Sequence, residues 1–194
     1  MSVDALEIGA VVSALAYVVL AIRENRWCWV AAFVSAVLYV WIFWQVQLLM
    51  ESLLQIFYAA MAVYGWVLWR DRQTGQPQSI QTLRWQTHVT IVASVIGVSA
   101  VLGWFLNSAT EAAYPYIDSF TTIAALATTM LVAHKVLENW LYWIVIDVIS
   151  AGLYINRGLD LTAALFMGYV VLALAGYWEW RKHYVTQQTS SPMS

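Results

Sequence analysis

The chain has 194 residues, of which 62% are hydrophobic and only 10% charged. A soluble domain carries about 25% charged residues, so this composition points to an integral membrane protein. The net charge of −2 and the single cysteine, Cys28, argue against a nucleic-acid partner, an internal disulfide and a multi-cysteine metal site.

Seven apolar segments are predicted as transmembrane helices, at about Ala5–Ile22, Trp27–Trp44, Ser52–Trp69, Val89–Leu106, Ile117–Ala133, Asn139–Ile155 and Leu161–Trp178. The N-terminus, Met1-Ser2-Val3-Asp4, lacks the basic region of a signal peptide, so the first run is read as a span. Arg70 to His88, with Gly75 and Pro77, reads as a solvated loop. The tail from Arg181 onward, ending Gln187-Gln188-Thr189-Ser190-Ser191, reads as disordered. The expected layout is a single transporter domain over residues 1–182 and a short cytoplasmic tail over 183–194.

Lysines and arginines favour the cytoplasmic side of a membrane protein. With the N-terminus outside, one side receives Arg23, Arg26, Arg70, Arg72, Arg84, Lys135, Arg181 and Lys182, and the other only Arg157. The predicted topology is therefore N-terminus out and C-terminus in.

The third segment carries a polar and small-residue stripe. Glu51, Gln55, Tyr58, Ala62, Gly65, Trp66 and Trp69 fall within about 100° on a helix. Tyr169, Gly176, Tyr177 and Trp180 make the same stripe on the seventh, at a shift of 111 residues. Earlier in each half the shift reads as three or four larger, pairing Asn25 and Trp29 with Asn139 and Trp143, and Leu38-Tyr39 with Leu153-Tyr154. Spans one to three thus resemble spans five to seven, giving a parallel 3+1+3 repeat with the fourth span as connector. Gly65 and Gly176 read as points of close helix approach.

The sixth segment carries the chemistry. Trp140, Trp143, Asp147, Ser150 and Tyr154 lie within an arc of about 80°, and the other faces are mostly aliphatic. Asp147 sits roughly 13 Å along the axis from Glu138, near the bilayer centre. A carboxylate there costs on the order of 2.5–3.5 kcal/mol, so it marks a functional site by default. The plainer alternative is an acid protonated or hydrogen-bonded to a neighbouring helix. Indole faces hold flat cationic rings, a carboxylate pairs with a cation, and Gln55 and Tyr58 add directional hydrogen bonds. The implied ligand is a small, flat, cationic heteroaromatic with a polar arm. Asn139, Trp66 and Tyr169 complete the candidate set.

Other classes fit less well. His88, His134 and His183 lie at span ends or in the tail, which argues against a haem or metal site, and no Walker-type loop provides for ATP hydrolysis. No cofactor and no enzymatic activity are expected. A sugar carrier of the SWEET type shares the 3+1+3 plan but leans on prolines within its spans, whereas Pro77, Pro115 and Pro192 lie outside them here. A scaffold protein would leave the buried acid and indoles without a role.

Leu54-Gln55…Tyr58…Tyr64-Gly65-Trp66-Val67-Leu68-Trp69 and Glu138-Asn139-Trp140-Leu141-Tyr142-Trp143-Ile144-Val145-Ile146-Asp147 resemble the bacterial nicotinamide riboside transporters, the PnuC family. The Trp-x-x-Trp-x-x-x-Asp spacing and the closing Gly-Tyr-x-x-Trp-Arg are similar to that family's motifs. The resemblance covers about residues 10 to 182. It implies two three-helix bundles joined by a linker helix, in a SWEET-like architecture in the inner membrane. It also implies facilitated uptake without ATP hydrolysis, with an intracellular kinase trapping the product. By resemblance Trp140, Trp143 and Asp147 are substrate ligands, joined by Gln55 and Tyr58. Relatives that carry thiamine share similar motifs, and both vitamins are cationic aromatics, so the physical argument leaves the two open. Lipid is the other expected partner, and a homo-oligomer is left open.

Overall fold

The computed structural model describes residues 3–45, 49–69, 78–109 and 114–190. Seven α-helices account for most of them: α1 (Val3–Ile22), α2 (Cys28–Gln45), α3 (Leu49–Leu68), α4 (Trp85–Ala109), α5 (Pro115–Ala133), α6 (Asn139–Asn156) and α7 (Asp160–Ser190). Each apolar segment becomes one helix, and α1, α5 and α6 stop where a charged or histidine residue interrupts the run, at Arg23, His134 and Arg157. Gly158 takes a left-handed φ of +70° just past the end of α6, a conformation glycine adopts without steric cost. Pro115 opens α5 at its first turn, where a missing N–H costs nothing. Among the described residues there is no strand.

Among the described residues five stretches are long and apolar enough to cross a membrane: Cys28–Gln45, Glu51–Leu68, Trp85–Ala109, Pro115–Ala133 and Thr162–Thr189. Leu6–Ile22 is apolar but shorter. The polar face of α6, with Asn139, Asp147 and Asn156 among its 18 residues, keeps that helix below the same mark.

The chain divides into two compact units, Met1–Ser79 with Lys182–Ser194, and Ile80–Arg181. In the first, α1 packs on α2 and α2 on α3. Trp29 is the wedge between α2 and α3: it is buried, its ring lies against Gly65, and it meets Trp69 edge-to-face at 5.5 Å and 88°. In the second, α4 packs on α5 and α5 on α6. There Trp140 is the wedge, lying against Gly176 and meeting Trp180 edge-to-face at 5.5 Å and 89°. Such pairs contribute about 0.5–1.5 kcal/mol beyond their buried area. Gly65 and Gly176 thus admit a tryptophan ring, so what comes close at each is an indole and not the backbone of a neighbouring helix.

The turns preceding the wedges also correspond. Glu24 and Lys135 both adopt left-handed φ, at 52° and 51°. Glu24 N–H donates to Ala21 O, Asn25 N–H to Leu20 O and Cys28 N–H to Asn25 O, at 2.9–3.0 Å. Lys135 N–H donates to Val132 O, Val136 N–H to Leu131 O and Asn139 N–H to Val136 O, at 3.0–3.1 Å. Every one of these pairs is 111 residues apart, which corrects the larger shift read in the early part of each half. Trp29 corresponds to Trp140 and not Trp143, Asn25 to Val136 and not Asn139, and Leu38-Tyr39 to Ile149-Ser150 and not Leu153-Tyr154. The Asn-x-x-x-Trp spacing occurs at both places, but the ring that fills the glycine notch decides the register.

Two further boundaries move. Trp85 to His88 belong to α4, and Gln81 before it is held to the α5–α6 turn: its N–H donates to Lys135 O at 3.0 Å, Leu137 N–H donates to its carbonyl at 2.8 Å, and its side-chain amide donates to His134 O at 2.8 Å. Arg70, Arg72, Gly75 and Pro77 of that loop lie outside the described residues. The tail read as disordered continues α7 as far as Ser190, and His183 within it pairs with Glu24.

Candidate functional site

α6 is the helix with most to explain. Its buried residues are Asn139, Trp140, Ile146, Asp147, Ser150, Ala151 and Leu153. Asp147 is 5% exposed, and among the described residues no cation pairs with its carboxylate. A charge buried in apolar surroundings needs a partner. On the corresponding helix of the first unit, α2, the same position is Ala36, which is also buried. At the corresponding place the first unit buries a methyl group where α6 buries a carboxylate.

Around Asp147 the predicted stripe divides into layers. Towards the start of α6, Trp140 is held by Gly176 and Trp180, and its indole N–H is buried without a hydrogen-bond partner among the described residues. Trp29 of the first unit likewise leaves its indole N–H without a partner among the described residues. Asn139 is fully buried; its amide donates to Val136 O at 2.7 Å, which closes the turn, while its carbonyl oxygen has no partner among the described residues. Trp143 is half-buried against Val95, Ala124 and Ile146. Ser150, one turn beyond Asp147, is buried. Tyr154 stacks on Phe166 at 5.2 Å and 22°, and Phe166 meets Tyr169 edge-to-face at 6.0 Å. The structure thus joins Tyr154 and Tyr169 through Phe166, a residue that sequence reasoning passed over. Its signal was available at the 111-residue shift, where Phe166 stands opposite Gln55.

Gln55, Tyr58 and Trp66 belong to the first unit. Gln55 and Tyr58 are half-buried, with Tyr58 edge-to-face to Phe57 at 5.9 Å. Trp66 lies in a different setting: the Arg26 guanidinium sits 3.7 Å from its ring centroid and Trp27 packs on it at 5.3 Å.

The second unit also contains a cavity of about 420 Å³ between α4, α5 and α6, lined by Ile91, Val95, Phe120, Tyr142 and Ile146 among others. Its lining omits Asp147 and Trp143 and is almost wholly apolar, so the cavity lies off the chemically equipped stripe. Its polar lining includes Thr128 and His88, the latter bonded to Tyr142 at 2.8 Å and 3.8 Å from Glu138. No group of histidine, cysteine and carboxylate side chains suited to a metal occurs among the described residues.

Apolar helices in this number, with one acid buried on an aromatic-lined face, define a multi-pass helical membrane protein. The chain belongs to the family described as Nicotinamide mononucleotide transporter, which matches residues 4–182. It is similar to the nicotinamide riboside transporter PnuC of Escherichia coli (strain K12), with 27% identity over 166 residues, covering 72% of this chain and 69% of that protein. It is also similar to the nicotinamide riboside transporter PnuC of Neisseria mucosa, with 24% identity over 164 residues, or 77% and 61% of the two chains. A crystal structure of the vitamin B3 transporter PnuC matches 93% of this chain and 82% of its own, with a TM-score of 0.72 and 20% identity. The fold is therefore that of the PnuC transporters, and the protein is a multi-pass protein of the inner membrane.

Proposed function

We propose that the chain takes up nicotinamide riboside, with Asp147 as the partner of the substrate's cationic pyridinium ring. The observation that carries this reading is the buried Asp147 carboxylate, unpaired among the described residues and standing where the equivalent helix has Ala36. Trp143 supplies a ring face, the Trp140 N–H and the Asn139 carbonyl supply hydrogen-bonding groups, and Ser150, Tyr154 and Tyr169 continue the polar and aromatic stripe. Gln55 and Tyr58 of α3 are further substrate ligands in this proposal, and Trp66 completes the set from its position beneath Arg26. The names of the relatives support a riboside. The family's description names the mononucleotide, whose phosphate would need a cation, and the Asp147 stripe offers none. The unphosphorylated riboside, a cation, is what an isolated carboxylate selects.

The proposed topology has the N-terminus outside and the C-terminus inside, motivated by eight lysines and arginines on one side against Arg157 on the other. The two triplets α1–α3 and α5–α7 are proposed as a parallel repeat about α4, as in SWEET carriers; the common 111-residue register of turns, wedges and notches supports it. Transport is facilitated diffusion, and phosphorylation by a separate kinase inside the cell keeps the product from returning.

The test is uptake into proteoliposomes offered nicotinamide riboside, nicotinamide mononucleotide and thiamine in turn, without an ion gradient. The riboside should equilibrate and the mononucleotide should stay outside. Preference for thiamine would reassign the substrate. Equilibration of the mononucleotide would remove the role given to Asp147.

A further inference from the structure

At the far end of α6 from Asn139, a second aromatic–carboxylate pair is already filled by a cation. The guanidinium of Arg157, just past the end of α6, donates to Asp118 Oδ2 at 3.2 Å and lies 5.3 Å from the ring centroid of Tyr114. Asp118 is in the first turn of α5 and Tyr114 is the residue before that helix. All three are accessible: the side chains of Arg157 and Asp118 are 34% and 40% exposed, and Tyr114 is 37% exposed. An ion pair this exposed contributes little and is readily exchanged. A guanidinium is a flat, delocalised cation that both stacks on a ring and pairs with a carboxylate. An N-alkylpyridinium ring shares the flatness and the charge.

We propose that Tyr114 and Asp118 form a capture site for the cationic ring of the substrate, and that Arg157 occupies this site as a built-in competitor. The inference rests on the proposed substrate and, through the proposed topology, places the site at the outer end of the helices. Arg157 is the one lysine or arginine assigned to that end. An incoming cation replaces it on Asp118 and on the Tyr114 ring, and the released guanidinium returns to water. The exchange trades one cation for another, so it is fast and weakly selective, suited to capture ahead of the deeper Asp147. A neutral solute gains nothing from the same groups.

The competing explanation is a staple, in which the ion pair only ties the α6–α7 turn to the start of α5. Both explanations predict the same small loss of thermal stability for Asp118→Asn and Arg157→Gln, because each breaks the same exposed pair. They differ in the KM for nicotinamide riboside uptake into proteoliposomes. Capture with competition predicts opposite shifts: Asp118→Asn raises KM about three- to tenfold with Vmax retained, whereas Arg157→Gln lowers it about two- to threefold. A staple predicts that both variants move KM the same way. Should Arg157→Gln fail to insert, Arg157→Lys replaces it; losing the flat guanidinium weakens the competitor, so KM again falls. Shifts in one direction, or an unchanged KM in a folded Asp118→Asn protein, overturn the capture site while leaving nicotinamide riboside as substrate. Failure of the wild type to take up the riboside overturns the substrate reading and the capture site with it.

Discussion

Gly176→Ala is the smallest change that tests how the second unit is held together. An added methyl group at Gly176 would lie 2.6 Å from ring carbons of Trp140, closer than van der Waals contact allows, so the indole or α7 must shift. The indole has little freedom, being buried and locked edge-to-face against Trp180. Overpacking of this kind costs about 1–3 kcal/mol, while replacing a helical glycine with alanine returns at most about 1 kcal/mol. The net result is a loss of roughly 0–2 kcal/mol. Gly97, on α4, has nothing within 4 Å of an added methyl and serves as the control; its alanine variant should be neutral or stabilised by up to about 1 kcal/mol. Thermal unfolding of the purified variants in one detergent gives the comparison. Trp140→Leu should absorb the methyl group, so the double variant with Gly176→Ala should lose less than the sum of the singles. If Gly176→Ala is as stable as Gly97→Ala, and the double variant is merely additive, the wedge is not what joins α6 to α7.

Gly65→Ala should behave like Gly176→Ala, because Trp29 fills the corresponding notch; a neutral Gly65 variant beside a damaged Gly176 variant would break the correspondence between the units. A reporter active only in the cytoplasm, fused after Arg181, should give signal in cells. A silent fusion with normal protein levels would reverse the topology. Trp143→Phe keeps an aromatic ring but weakens its attraction for a cation, and should reduce riboside affinity about five- to tenfold by equilibrium binding. Unchanged affinity would remove Trp143 from the site.

The helices were readable because a span must be apolar over a fixed length, and several edges fall at charges, as at Arg23-Glu24 and Arg157. The repeat offset in the first part of each half was not readable. Both Trp140 and Trp143 stand at tryptophan-like positions, and only the ring that occupies the glycine notch tells which is equivalent to Trp29. The helical end of α7 escaped because Gln187-Gln188-Thr189 has no apolar period; contact between His183 and Glu24 is a tertiary fact. Within the candidate site, Asp147 and its stripe were legible from a charge in an apolar run. Phe166 stands opposite Gln55 at the 111-residue shift, but its place in the stripe shows only once Tyr154 and Tyr169 are seen on either side of it. Trp66 read as part of the same stripe as Tyr58, yet Arg26 comes from the turn before α2 and could be placed over that ring only by the fold.

The measurement that decides the role of α6 is nicotinamide riboside affinity and melting temperature on the same preparation of Asp147→Asn. The amide keeps the shape of the side chain and removes its charge. Loss of a charge-assisted contact costs about 1.5–3 kcal/mol, so affinity should fall roughly 10- to 150-fold. The melting temperature should hold or rise, because a neutral amide is cheaper than a carboxylate at membrane depth. A lowered melting temperature with unchanged affinity in the folded protein would contradict the proposal and make Asp147 a structural residue.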